Sequence, residues 1–565
     1  MGVRRAMEMV LSEANKQKGP VYTFGPLIHN KQVLELLESK QVIEVNDPKG
    51  IDDGPLVIRA HGIPPDQRKI IKSSKLRLID ATCPRVARVQ AIIRYHTNKG
   101  YDSVIVGDKG HAEVIGLVGY GNGRAFVINS ISEIFNLPET EKIIVVAQTT
   151  QNEKKYSAIV KAIKSRFPKA LIFETICDAT RNRQEEIRSF AGHIDGMVVV
   201  GGYHSGNTQR LARVSSDSGI PTFHVETEKD LEKERLSSME VIGITAGAST
   251  PNWMIKNVLK EIESIRSRKE TLSGQRIKLA SKVLLLSNLG VATGAFSLAY
   301  AAGILSGRIP GLAYPLLAFL YIYAMHVLNR FLDKGASTYN DPERANFYGK
   351  HRFLLILSGI FSIAGALAIS WHLGVVIFIA MCGLSLLGIS YGITIVPERL
   401  RHLWRYSKIK DIPGSKTISE ALAWGAVITL IPMLGTSGIN WFASLIAFIF
   451  VFSVVYVRSA LFDIFQVQGD LIVGMETLPI TLGEKRTLFL LKGIILSSAI
   501  VLMIAPSVGL VENFSYLLLL CYLSLSLSIL TYEKRWLYTG NRLEVIVEGN
   551  LFLAGILGFI WHIVI

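Results

Sequence analysis

Gln275-Arg-Ile-Lys-Leu-Ala-Ser-Lys-Val-Leu-Leu-Leu-Ser-Asn-Leu-Gly-Val-Ala-Thr-Gly-Ala-Phe-Ser-Leu-Ala-Tyr-Ala-Ala-Gly-Ile304 is the stretch over which this chain changes solvent. Arg276, Lys278 and Lys282 lead into a run without charge from Val283 to Ile304, close to the roughly 20 apolar residues that cross a hydrocarbon core. Upstream the composition is mixed and punctuated by Gly. Short apolar runs such as Ser103-Val-Ile-Val-Gly107 and Gly196-Met-Val-Val-Val-Gly201 alternate there with amphipathic helical stretches, the pattern of strands crossing over through helices. Downstream, apolar stretches follow at approximately 312–328, 353–370, 373–396, 418–434, 442–457, 488–504, 517–530 and 551–565, about nine with the first. We therefore expect an α/β soluble domain over 1–266, a linker over 267–281 and an all-α polytopic membrane domain of about nine transmembrane helices over 282–565.

A mean hydropathy of +0.33 is too apolar for an ordinary soluble enzyme of 565 residues, which agrees with that division. Basic residues crowd alternate connections: Lys334, Arg344, Lys350 and Arg352; Arg399, Arg401, Arg405, Lys408 and Lys410; Lys485 and Arg486; Lys534, Arg535 and Arg542. The intervening connections carry almost none, with Arg308 the exception. Because Lys and Arg are retained on the cytoplasmic side, this bias predicts a multi-pass protein of the inner membrane with its N-terminal half in the cytoplasm and its C-terminus outside. We expect no cleavable signal peptide before the soluble half, in agreement with a cytoplasmic start. The formal charge of +15, from 61 Lys and Arg against 46 Asp and Glu, is explained by these loops and their attraction to anionic lipid, and implies no nucleic-acid partner.

Of four cysteines, Cys382 and Cys521 lie inside apolar stretches and read as small buried residues. Cys83, in Asp80-Ala-Thr-Cys-Pro84, and Cys177, in Ile176-Cys-Asp-Ala-Thr-Arg-Asn-Arg-Gln184, sit in polar turns after apolar strands. In a reducing compartment a disulfide is disfavoured, which leaves metal or iron-sulfur ligation against a structural thiol. Around them stand Ile28-His-Asn30, Ala60-His-Gly62, Gly110-His-Ala-Glu113, Gln148-Thr-Thr150, His204-Ser-Gly-Asn207 and Thr245-Ala-Gly-Ala-Ser249. Imidazoles, hydroxyls and a carboxamide gathered at strand ends make a donor-rich pocket suited to an anion such as a diphosphate.

These motifs, in this order and approximate spacing, resemble the hydroxymethylbutenyl diphosphate reductases, the IspH/LytB family of the non-mevalonate isoprenoid pathway, over residues 1–266. The resemblance implies three similar α/β lobes around a [4Fe-4S] cluster, with Cys83 and Cys177 as two of its three protein ligands. The family pattern Phe-Cys-x-Gly-Val-x-Arg-Ala meets Met1-Gly2-Val3-Arg4-Arg5-Ala6 here, so its Cys would fall just before Met1. We expect a start site placed too late rather than a real truncation, because the other motifs are intact. The resemblance further implies reductive loss of an allylic hydroxyl, with electrons from ferredoxin or flavodoxin. Glu113 would supply a proton, Thr149 would orient the hydroxyl, and His29, His61, His111, Ser205, Asn207 and Ser249 would hold the diphosphate, His111 also counting among the catalytic groups. Gly206 stands where the family usually has Ser, which removes one donor.

In the apolar half, two connections carry the polar residues that a bilayer makes costly and that therefore mark function. They are Asn329-Arg-Phe-Leu-Asp333 with Asn340-Asp341, and Asp463-Ile-Phe-Gln-Val-Gln-Gly-Asp470 leading to Thr477-Leu-Pro-Ile-Thr-Leu-Gly483. Read as loops, they could aim Asp463 and Asp470 at one Mg2+-diphosphate. With about nine spans they resemble the UbiA-type intramembrane prenyltransferases over residues 278–565. Tyr406-Ser-Lys-Ile-Lys410 is similar to the Tyr-x-x-x-Lys element of that superfamily, in which Lys410 would neutralise diphosphate charge. The likeness implies Mg2+-dependent prenyl transfer to a lipid-soluble acceptor. Arg330 and Ser337 replace outer acids of the first motif, leaving Asn329 and Asp333, and Gln466 replaces an acid of the second; fewer carboxylates mean weaker Mg2+ binding. The expectation is a bifunctional isoprenoid enzyme, against two alternatives: a reductase on a non-catalytic anchor, or a prenyltransferase with a crippled reductase half.

Overall fold

The structure, a computed structural model, describes residues 2–564 except 18, 29, 50, 52, 75, 266–281, 309–310, 333–338, 392–411, 436–439, 535 and 537–540. The chain divides into two compact units, Met1–Glu270 and Thr271–Ile565.

The first unit holds three parallel sheets. Strands β1 (Val21–Phe24), β2 (Val42–Val45), β3 (Pro55–Ile58) and β4 (Arg77–Asp80) lie in the order β2-β1-β3-β4. Strands β5 (Asp102–Val106), β6 (Ala125–Ile128), β7 (Ile143–Ala147) and β8 (Leu171–Ile172) lie in the order β6-β5-β7-β8, and β9 (Gly196–Val200), β10 (Thr222–Val225) and β11 (Ile242–Ala246) in the order β10-β9-β11. Central strands read as unbroken apolar runs because helices cover both faces. Val104, Val106, Val145, Val198 and Val200 are accordingly fully buried, and Val198 is paired with Phe223 on one side and Ile244 on the other.

Each sheet grows in one direction from its first strand and then in the other, so each has a switch point: β1/β3, β5/β7 and β9/β11. In open parallel sheets the crevice at the carboxyl ends of the two switch-point strands is where a ligand fits. The described residues of the six polar motifs fall on those six strand ends, 28 and 30 with 60–62, 110–113 with 148–150, and 204–207 with 245–249. Cys83 and Cys177 follow β4 and β8, the outer strands of the first two sheets.

In the second unit the described residues of the nine apolar stretches fall largely on helices. Among the described residues five helices are long and apolar enough to cross a membrane: Arg352–Leu373, Trp441–Val473, Glu484–Ser507, Phe514–Glu533 and Leu543–Val564. Leu289–Leu305 and Val375–Ser390 are apolar but shorter, and Ala313–Leu332 carries the second stretch. The stretch 418–434 is a broken helix, Ser415–Gly425, then a π turn over Ala426–Leu430, then Ile431–Met433 with Pro432. Pro432 has no N–H to continue the ladder, which explains the irregular turn before it. Cys521 is buried, whereas Cys382 is only partly so.

The acidic segment read as a loop is helix. Trp441–Val473 runs 33 residues without a break, about 50 Å at ~1.5 Å per residue against a hydrocarbon core of ~30 Å. Ile464, Leu471 and Ile472 are buried and continue the helical apolar face past Arg458, so polar residues between them do not end the helix. Asp463 and Asp470 stand two turns apart on that last third.

Candidate active sites

Glu113 lies in the first turn of the helix Ala112–Gly119 that follows β5. Its side chain is 1% exposed and accepts two hydrogen bonds from Thr149, after β7: the N–H reaches Oε1 at 2.7 Å and the hydroxyl reaches Oε2 at 2.9 Å. Burial pushes the Glu113 carboxyl above the ordinary carboxylate range, while the Thr149 donors and the Arg210 charge oppose the shift. A buried acid raised in this way is suited to donating a proton. His111 caps the same helix, its Nδ1 accepting the Glu113 N–H at 3.2 Å. The His61 ring meets His111 edge-on, with centroids 5.3 Å apart. From the third lobe, Gly206 comes so close that a Cβ there would stand 3.4 Å from His111 Cδ2, an ordinary contact distance. All three lobes thus meet at His111.

Ser205 is buried and caps the helix Gly206–Asp217, its hydroxyl accepting the Thr208 N–H at 3.4 Å. Asn207, in the first turn of that helix, and Ser249, on the turn after β11, are half-buried. Arg210, one turn beyond Asn207, ties this lobe to the second. Its guanidinium lies 2.7 Å from Asp108 Oδ2 and donates to the Thr150 hydroxyl at 3.1 Å and to the Thr150 carbonyl. Cys83 stands at the N-cap position of the helix Pro84–Thr97 and Cys177 at that of Asp178–Ser189, neither side chain making a cap hydrogen bond. The Cys177 N–H donates to the Thr149 carbonyl at 2.8 Å, and Arg85 pairs with Asp178, joining the two cysteine turns. Gly2 packs against Cys83, where a Cβ would fall 2.3 Å from its Sγ.

The second unit contains a cavity of about 630 Å³. Its polar wall includes Asn329, Asn340, Asp341, Gln466 and Asp470, and its apolar wall Ile322, Leu384, Leu430 and Phe448. Asn340 donates to Asp470 Oδ1 at 2.7 Å. That approach requires Gly469, since a Cβ there would lie 1.9 Å from Asn340 Oδ1. Asp463, by contrast, is not among the described residues lining this cavity. It is 1% exposed, pairs with Lys416 Nζ at 2.8 Å and accepts the Thr417 hydroxyl at 2.8 Å.

Residues 1–263 match the family model described as LytB protein, and residues 289–553 the UbiA prenyltransferase family model. The 4-hydroxy-3-methylbut-2-enyl diphosphate reductase of Geotalea uraniireducens (strain Rf4) is 41% identical over 268 residues, covering 47% of this chain and 95% of that protein. The chain belongs to the LytB family. Its second half is a UbiA-family prenyltransferase domain, so a LytB oxidoreductase and a prenyltransferase share one polypeptide. The solved E-1-hydroxy-2-methyl-but-2-enyl-4-diphosphate reductase from Plasmodium falciparum is 31% identical, covers 46% of this chain and 83% of its own, and has a TM-score of 0.44. A UbiA homolog from Archaeoglobus fulgidus bound to GPP and Mg2+ is 18% identical, with 49% and 98% covered and a TM-score of 0.37.

Two of the LytB half's expected ligands for a cluster fit one: both cysteines stand at the N-cap positions of helices, where the helix dipole favours negative charge. Among the described residues no group of three His, Cys, Asp or Glu is placed to hold a metal ion, so the pair is an incomplete ligand set. In the UbiA half the carboxylate and carboxamides around Asp470 suit a hard cation. His29, Asp333, Tyr406 and Lys410 lie outside the described residues. Sequence reasoning missed Arg210, Asp108, Lys416 and a cluster of the half-buried His326, Glu420 and Glu548 around the buried Arg458. The clue for the last was charge inside apolar stretches, Arg458 directly after the run ending at Val457 and Glu420 within another.

Proposed function

We propose that the LytB half reduces 4-hydroxy-3-methylbut-2-enyl diphosphate to isopentenyl and dimethylallyl diphosphates, with two electrons from ferredoxin or flavodoxin and two protons. The Glu113–Thr149 pair carries this reading, because a fully buried carboxyl with a raised proton affinity, set beside a hydroxyl and a polar three-lobed crevice, is the arrangement that loss of an allylic hydroxyl requires. Thr149 orients the substrate hydroxyl while Glu113 delivers a proton to it. His61, His111, Ser205, Asn207 and Ser249, with His29, hold the diphosphate by hydrogen bonds it can accept in number. A [4Fe-4S] cluster on Cys83, Cys177 and one further ligand would supply single electrons and an open iron for the hydroxyl. Arg210 keeps the diphosphate-binding helix and the Glu113 turn in register.

The UbiA half, in the same proposal, ionises a prenyl diphosphate at the polar wall of its cavity and passes the prenyl group to a lipid-soluble acceptor. Asn329, Asn340, Asp341 and Asp470, with Asp333, would hold Mg2+, which would neutralise the departing diphosphate. Lys410 and Tyr406 complete the site, and Asp463 serves it through Lys416. The domain spans the inner membrane with the LytB half cytoplasmic and the C-terminus outside, as the loop charges require. A non-catalytic anchor is the competing reading, favoured by the Lys416–Asp463 pair and by Arg330 in an acid's place.

Two measurements test the proposal. The chain, expressed anaerobically from Met1 and also extended upstream to an in-frame Phe-Cys, is assayed for iron, sulfide and reduction of hydroxymethylbutenyl diphosphate; absence of all three in both forms removes the reductase reading. Asp470→Ala in the full chain abolishes Mg2+-dependent geranyl diphosphate binding, and binding without Mg2+ dependence leaves the anchor.

A further inference from the structure

His326 faces the cavity of the UbiA half one helical turn before Asn329, about 4.5 Å deeper along the helix axis. Its Nε2 stands 3.7 Å from Glu420 Oε1. Glu420 is fixed from behind, accepting Arg458 Nη1 at 3.1 Å and the Ser459 hydroxyl at 2.8 Å, while Arg458 Nη2 reaches Glu548 at 2.9 Å. These ionisable groups come from four helices, Ala313–Leu332, Ser415–Gly425, Trp441–Val473 and Asn541–Val564. Arg330, Arg458, Glu420 and Glu548 are the charges that act on His326. They balance while the imidazole is neutral. Ionisable groups inside a membrane domain are costly and are kept where they do chemistry.

Prenyl transfer releases one proton from the acceptor. We propose that His326 is the base that receives it, with Glu420 as the positioning residue, and that the acceptor is a neutral hydroxylated lipid; this rests on the prenyl-transfer reading above. The C1–O bond of the prenyl diphosphate breaks and diphosphate leaves with the electron pair. The acceptor oxygen, or the ring carbon it activates, bonds to C1, and the acceptor proton passes to His326. With Nε2 turned to Glu420, Nδ1 is the nitrogen that takes it, and the fixed carboxylate stabilises the imidazolium as in other carboxylate–histidine pairs. The acceptor class follows from the cations of the wall. Of the cations that line the cavity, Arg344 and Lys416 are matched to carboxylates, Asp341 and Asp463, and Arg330 lies over the Tyr348 ring with its guanidinium 5.3 Å from the centroid, so the wall suits a neutral head group rather than an acid.

The test uses the full chain in nanodiscs with Mg2+, radiolabelled geranyl diphosphate, and the neutral and acidic fractions of a lipid extract from the host membranes. Wild type labels the neutral fraction. His326→Ala lowers transfer by about 100-fold or more, the scale of a lost general base, while geranyl diphosphate binding stays within about twofold and added imidazole restores part of the transfer. Glu420→Gln lowers kcat by roughly tenfold with KM for geranyl diphosphate unchanged, a smaller effect than removing the base itself. The inference is overturned if His326→Ala transfers normally, if it loses geranyl diphosphate binding together with transfer, or if only the acidic fraction is labelled. A wild-type chain that binds geranyl diphosphate but labels neither fraction overturns the prenyl-transfer reading and this inference with it.

Discussion

Glu113 and Gly469 each make a prediction about one side chain. The Glu113 carboxyl is raised above its ordinary value of 4.5, so over the window above that value the folded chain keeps a proton that the unfolded chain has lost. Stability from this group is full below the unfolded value and falls as pH rises toward the folded one. Glu113→Gln has no charge to bury and preserves both Thr149 contacts with one reversed. Its denaturation midpoint should therefore gain on wild type between pH 5 and pH 8, while hydroxymethylbutenyl diphosphate reduction falls roughly 100-fold or more. Urea melts at the two pH values check the first part, and a constant gap between the proteins would refute it. At Gly469 the argument is steric. A methyl group 1.9 Å from Asn340 Oδ1 must push that side chain off Asp470. Loss of a buried hydrogen bond costs ~1–3 kcal/mol, so Gly469→Ala should weaken Mg2+-dependent geranyl diphosphate binding by roughly 10-fold or more, measured by titration in nanodiscs.

Elements matter here through their ends and their joins. Arg458, 7% exposed, ties Ser415–Gly425 to Asn541–Val564 through Glu420 and Glu548. Arg458→Met leaves two carboxylates without their shared cation, and breaking a buried pair from one side costs ~3–5 kcal/mol. The thermal midpoint of the full chain in detergent should drop, and Arg458→Met combined with Glu548→Gln should recover part of the loss; equal midpoints for all three proteins would mean that the cluster is not holding these helices together. The same elements explain what the sequence made legible. Apolar runs marked the strands, and the motifs after them had to sit at strand ends, so the residues of all three crevices could be named before the sheets were known. Register between lobes was not legible, because Arg210 meets Asp108 across 102 residues of chain. The segment Asp463–Asp470 was misread as a loop because its Gln, Gly and Asp residues outweighed Ile464, Phe465 and Leu471, whose spacing is helical. Glu420, Arg458 and Glu548 found one another only through packing, which no local pattern records.

The whole molecule joins a reaction in water to one in a bilayer, and the join has a consequence independent of either mechanism. The LytB half has cores closed within its own three sheets, as at Val104, Val198 and Leu56, whereas the second unit leaves Phe353, Phe361, Leu386, Phe489 and Leu523 largely exposed along its apolar helices. Exposed apolar side chains on long apolar helices are solvated by lipid, not water. Reductase activity should therefore sediment with membranes in the full chain and stay in the supernatant when the chain ends at residue 265. On the proposed chemistry the reductase products carry a diphosphate and diffuse to the membrane surface, where tethering would raise their local concentration. Severing the chain should leave kcat of each half unchanged and lower only the coupled flux from hydroxymethylbutenyl diphosphate to prenylated lipid in a reconstituted mixture containing a chain-elongating synthase. A severed pair with the full coupled flux would show that sharing a polypeptide adds nothing to the chemistry.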